Sequence, residues 1–106
     1  MKGINKVILV GNVWKDPVIR TTKNDSKIAQ VSMVTESGWG EYKKADWHNV
    51  VFFGRQAEVA SEYLNKGREV YIEGRLKTSQ YEKEGQTKYF TQVIGENFKF
   101  LGSKNS

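Results

Sequence analysis

The sequence predicts a mainly β fold: a five-stranded barrel with one α-helix between strands three and four. Three observations point there. Five stretches carry the two-residue alternation or the β-branched richness of strands. The apolar period changes to that of a helix only once. The 106 residues suffice for one domain and not two.

The first strand is the run Val7–Val10, continuing through Val13 and ending at the turn signal Asp16-Pro17. Asn24-Asp25-Ser26 marks a loop. Ala29, Val31 and Met33 then alternate with Gln30 and Ser32, as in a half-buried strand. Ser37 to Asp46 contains Gly38 and Gly40 and reads as a mobile loop, and Trp47–Phe53 is the third strand, closed by Gly54. Ala57, Ala60 and Leu64, with Val59 and Tyr63, have the spacing of a helix of about three turns. Gly67 stops it. Val70, Ile72 and Leu76, with Gly74 among them, form the inward row of a long fourth strand. Tyr71, Glu73, Arg75, Lys77, Ser79 and Tyr81 point the other way. Glu84-Gly85-Gln86 turns the chain into a hairpin, Tyr89–Ile94 returns, and Phe98–Leu101 finishes the sheet. Five strands with a lone helix after the third match the layout of the OB barrel, whose helix plugs one end. Residues 1–101 are expected to form this domain, and 102–106 a disordered end.

Composition narrows the chemistry. Lys and Arg number 17 against 12 acids, a formal net charge of +5, and aromatics make up 12% of the chain. The first 35 residues hold six of the cations and two of the acids; the rest is nearly balanced. There is no Cys and a single His, so disulfide frameworks, Cys-based zinc sites and most His-based metal centres and triads are excluded. The carboxylates are scattered, and Gly3 and Gly11 lack the spacing of a phosphate-binding loop. An enzyme is not expected, nor a metal or other cofactor. No run approaches the ~18 apolar residues of a membrane-spanning helix, and no basic-then-apolar leader opens the chain. A cytoplasmic protein without a membrane partner is expected. A basic, aromatic-rich small domain leans toward a polyanion with flat faces, namely nucleic acid.

Strand alternation sorts the aromatics. Trp47, Asn49, Val51 and Phe53 share one face of strand three. The two rings lie about 20 Å apart at ~3.3 Å per residue, far enough to support separate bases. Core packing is the competing reading, and Asn49 on the same face argues against it. Tyr81 shares its face with Arg75 and Lys77, the arrangement of base stacking beside phosphate neutralisation. A Tyr that merely shields a two-stranded ribbon fits equally well. Trp39 lies between two glycines near Tyr42, Lys43 and Lys44, where it can cover a bound strand or fold back onto the barrel. Trp14 can cap the core or extend the binding face. His48 has no catalytic or ligating companion, so a structural or interface role is expected.

Four segments together resemble the bacterial single-stranded DNA-binding protein family. These are Asn5–Asn12 followed by Asp16-Pro17, then Trp47–Gly54, Ala57–Gly67 and Val70–Leu76. The resemblance covers residues 3 to about 101. It implies an OB-fold that assembles as a homotetramer and wraps single-stranded DNA, in replication, recombination and repair. It assigns base stacking to Trp39, Trp47, Phe53 and Tyr81, the last where the family often has Trp. It assigns phosphate contacts to Lys6, Arg20, Arg55, Lys66 and Lys77, with Lys43 as a weaker match in a shortened loop. His48 matches a subunit-contact residue, and Tyr71 is placed at the same kind of contact. Trp14 stands where the family usually has Gly. Ser79 and Gln80 stand where it commonly has cations. The family's long linker and acidic tip are not seen, since no acid follows Glu96, so the chain is expected to be either truncated or a tailless variant. A tailless OB-fold replication accessory, like primosomal replication protein N and often dimeric, is the alternative. An RNA-binding OB module is a third.

Overall fold

The computed structural model describes residues 2–102. It contains β1 (Val7–Thr21), β2 (Lys27–Ser37), β3 (Lys44–Phe53), α1 (Arg55–Tyr63), β4 (Glu69–Lys83) and β5 (Gln86–Phe100), with a 3-10 turn at Gly40–Tyr42 between β2 and β3. The strands close into a barrel in the order β1-β2-β3-β5-β4. Neighbours run antiparallel except β3 and β5. This is the OB architecture. Residues 103–106, most of the expected disordered end, lie outside the described residues.

Inward residues of all five strands meet in one core. Val13, Ala29, Val31, Met33, Val50, Phe52, Val70, Ile72 and Val93 are buried there, and Ala57, Ala60 and Leu64 close one end from the helix and its C-cap. Phe52 is the bulkiest fully buried side chain. A Cβ on Gly95 would collide with its ring, so the absence of a side chain at 95 is what admits Phe52. The ring edge then continues outward through Phe98, 5.3 Å away, to Phe100 and Tyr63.

Three features of β1, β4 and β5 differ from the sequence expectation, each for a physical reason. β1 does not stop at Asp16-Pro17 but runs on to Thr21, with register shifts between Val13 and Lys15 and between Lys15 and Val18. Proline has no N–H for the ladder, and a bulge is where a strand tolerates it. The irregular stretch is anchored from outside. The Lys66 N–H donates to the Asp16 carboxylate at 2.9 Å, the Val13 N–H to the Arg68 carbonyl at 2.9 Å, and the Gly67 N–H to the Val13 carbonyl at 2.8 Å. β5 is one strand rather than two segments. Glu96 is an extra residue between the pairs Glu73–Asn97 and Gly74–Gly95, and this bulge breaks the alternation there.

Leu76 was expected in the inward row with Val70 and Ile72, but it is half-exposed. The β1–β4 ladder ends at Val7 opposite Gly74. One step further, the Asn5 side-chain amide stands in for a strand, donating to the Leu76 carbonyl and accepting from its N–H, both at 2.8 Å. Beyond this clip the β4–β5 hairpin leaves the barrel. Its tip, Glu84-Gly85, has φ of 52° and 77°, matching the two positive values of a type I′ hairpin turn.

Candidate nucleic-acid interface

Tracing paired residues from strand to strand shows which outward side chains share a surface. Arg20, Ile28 and Phe53 form one cross-strand row over β1, β2 and β3. Lys15, Ser32 and Asn49 form another, and Val34 pairs with Trp47. Between them, Gln30 pairs with Val51, Val51 with Ile94, and Ile94 with Arg75. That last row crosses from β3 through β5 to β4. The aromatic face of β3 and the cationic face of the hairpin therefore lie on the same side of the sheet, joined through Val51 and Ile94, and Ile94 is buried at 7% exposure. Val51, expected on the aromatic face, is nearly buried where the two meet, at 4% exposure.

Along this surface Trp47 is 58% exposed and Phe53 49%, which removes the core-packing reading for both. On the hairpin, Lys77 opposes Gln92, Ser79 opposes Phe90, and Tyr81 opposes Lys88. Tyr81 is half-exposed and its ring lies 5.8 Å from that of Phe90. Sequence reasoning missed Phe90. The cross-strand register supplies it: pairing runs without a shift from Lys83–Gln86 at the Glu84-Gly85 turn to Ser79–Phe90 and on to Gly74–Gly95. Trp14 does not cap the core: it is half-exposed, and its indole meets that of Trp47 edge-to-face at 5.7 Å.

Trp39 sits at the tip of the β2–β3 hairpin, 83% exposed, with Tyr42 also exposed. It does not fold back onto the barrel. The Ser37–Asp46 stretch is shorter and more regular than expected, because β2 and β3 stay paired to Ser37 opposite Lys44 and the Tyr42 N–H donates to the Trp39 carbonyl at 3.1 Å. Gly38 makes this turn possible: its φ is 77°, and a Cβ there would strike the Tyr42 carbonyl.

The basic residues are not all gathered. Among the described residues only Lys6 and Arg75 take part in ion pairs, with Glu73 at 3.7 Å and Glu96 at 3.6 Å. Arg20 shares the row of Phe53, and Lys77 lies between Arg75 and Tyr81. Lys43 flanks the turn below Trp39, Arg55 opens α1, and Lys66 lies in the connection held by Asp16; all three are exposed.

A different outward patch carries Tyr71. Val10 opposes Tyr71, and Ile8 opposes Glu73, on the outer side of β1 and β4; both aliphatic side chains are half-exposed. The Tyr71 hydroxyl donates to Glu73 Oε2 at 2.8 Å. This bond holds the Glu73 carboxyl below its usual range, helped by the charge of Lys6 and opposed by partial desolvation. The same bond raises the Tyr71 phenol, as do desolvation and the carboxylate charge. Tyr71 and Glu73 also line a hollow of about 280 Å³ with Asn97, Lys99 and Leu101. His48 lies on the inward row of β3, half-buried, with Nε2 2.8 Å from the Thr35 hydroxyl. Among the described residues no three His, Cys, Asp or Glu side chains converge as a metal site would require.

The single-strand binding protein family model matches residues 4–101. Among solved structures the chain is similar to the Plasmodium falciparum SSB in complex with ssDNA. The two are 31% identical, the match covers 96% of this chain and 98% of that one, and the TM-score is 0.86.

Proposed function

Because the chain belongs to the single-strand binding protein family, a family of binding proteins rather than enzymes, we propose that it binds single-stranded DNA without sequence preference. The observation that carries this reading is the placement of exposed Phe53, Trp47, Arg75, Lys77 and Tyr81 on the same side of the sheet. Bases stack on Trp39, Trp47, Phe53 and Tyr81, each worth roughly 1–3 kcal/mol on truncation. Every base has a π face, so stacking tolerates any sequence. A duplex hides those faces, so stacking selects single strands. Lys6, Arg20, Lys43, Arg55, Lys66 and Lys77 neutralise phosphates and release counterions, so affinity falls with salt. The physiological setting is protection of single strands in replication, recombination and repair, in the cytoplasm.

The assembly is a homotetramer. The half-exposed Ile8 and Val10, beside Tyr71 on the outer side of β1, supply apolar surface for a second copy. His48 contributes a contact alongside its bond to Thr35. Tryptophan emission during titration with oligo-dT tests the binding: quenching to saturation at low salt, reversed by added salt, is expected, and unchanged emission overturns it. Mass by light scattering tests the assembly. A stable dimer with weak DNA binding supports the replication-accessory reading instead.

A further inference from the structure

Three tryptophans occur in the chain, at 14, 39 and 47. Two of them meet on the outside of the barrel. β1 and β3 each pair with β2, so a side chain of β1 reaches one of β3 only by crossing β2. Trp14 does this from the first bulge of β1, where the register passes from Val13 opposite Met33 to Lys15 opposite Ser32. A bulge bends its strand and re-aims the side chain it carries. The crossing passes over Val34 and Ser32, neither of them bulky enough to hold the rings apart.

The outcome is an interplanar angle of 87° with centroids 5.7 Å apart. Inside a core this would be ordinary edge-to-face packing. Here each indole remains more than half exposed, so the pair is a right-angled corner open to solvent. Such a corner offers one ring face for stacking and a second apolar wall for the base edge. The next row beside it is Lys15–Ser32–Asn49, a cation at one end and an amide at the other, both exposed.

We propose that the Trp14–Trp47 corner seats one nucleobase of a bound single strand, with Lys15 neutralising an adjacent phosphate. Trp14 is then a direct DNA-binding residue, at a position where the family resemblance implies glycine. The proposal rests on the single-strand binding described above and adds a stacking platform to it.

The double variant Trp39→Phe, Trp47→Phe leaves Trp14 as the sole indole and keeps an aromatic wall at 47. Its emission is followed during titration with oligo-dT at low salt, while anisotropy of a labelled oligomer reports binding independently. Quenching of Trp14 that saturates with the anisotropy is expected. Saturating anisotropy with unchanged Trp14 emission overturns the corner and leaves the wider binding surface intact. Failure of the native chain to raise the anisotropy overturns both. In the otherwise native chain, Trp14→Ala is expected to weaken oligo-dT binding about tenfold at a temperature well below its thermal transition. Affinity equal to that of the native chain overturns the corner here too, whatever the double variant does.

Discussion

The two halves of the β4–β5 hairpin are built from the same strands and do opposite work. In the lower half, from Glu69 to Gly74 opposite Gly95 to Phe100, Val70 and Ile72 are fully buried and the outward face carries the Tyr71–Glu73 pair. In the upper half, from Arg75 to Lys83, Leu76 is half-exposed, and the other face presents Lys77 and the Tyr81–Phe90 rings. The alternation of side chains runs unbroken along β4 through both. What changes is the neighbour. The lower half has β1 beside it; above Gly74 only the Asn5 amide remains. Alternation states which residues share a face, and the adjoining strand decides whether that face is a core or a binding surface.

Breaking the lower half should cost the most. Phe52→Ala removes the ring that fills the space beside Gly95 and should lower unfolding free energy by about 3–5 kcal/mol in a urea titration. Ile72→Ala should cost about 2–5 kcal/mol by the same measurement. Breaking the upper half should leave stability alone and affect binding: Tyr81→Ala should weaken oligo-dT affinity by about 1–3 kcal/mol without moving the thermal midpoint. A drop in midpoint matching that of Ile72→Ala would mean the upper half is part of the core after all.

Leu76→Ala sharpens the contrast, since it deletes the same kind of side chain four residues on. With its surface half in water already, it should cost less than about 1 kcal/mol in urea. Glu73 marks the junction of the halves, and its effect shows in the acid limb of stability. A carboxyl held low in the folded state binds its proton more readily when unfolded. Its contribution is therefore full above the ordinary carboxylate range and lost as pH falls through its depressed value. Glu73→Gln should flatten that limb by lowering the midpoint slightly near neutral pH and leaving it unchanged at pH values below the depressed one. The smallest effect belongs to Lys77→Gln. It should reduce the slope of log affinity against log salt by roughly 0.7 for a single strand, with no change in stability.

Much of the fold was legible in the sequence because period is a local property. The strand runs, the one switch to helical spacing and the Glu84-Gly85 turn each follow from residues near one another. Errors fell where a distant partner decides. Asp16-Pro17 reads as a stop, yet β1 continues because Lys66, Gly67 and Arg68 supply and take up hydrogen bonds there. Phe98 to Leu101 reads as a separate segment because the Glu96 bulge resets the alternation. In the site, alternation put Trp47 and Phe53 on one face and Tyr81 opposite the apolar row, and the structure shows all three exposed. The partner of Trp14 was out of reach, since it depends on the β1 bulge and the register across β2; Phe90 was missed although its pairing with Ser79 follows from the Glu84-Gly85 turn.

The sequence by itself determined the inventory: one cysteine-free basic domain, five strands and a helix in order, and aromatics on faces opposite the apolar rows. Side-chain alternation and helical period are consequences of backbone geometry, so they need no knowledge of neighbours. Only the tertiary structure decided that the β3 and hairpin faces join at Val51, Ile94 and Arg75. It alone set Trp14 against Trp47 and left Leu76 half-exposed. These follow from barrel closure, which brings strands distant in sequence into register and fixes which surfaces run together.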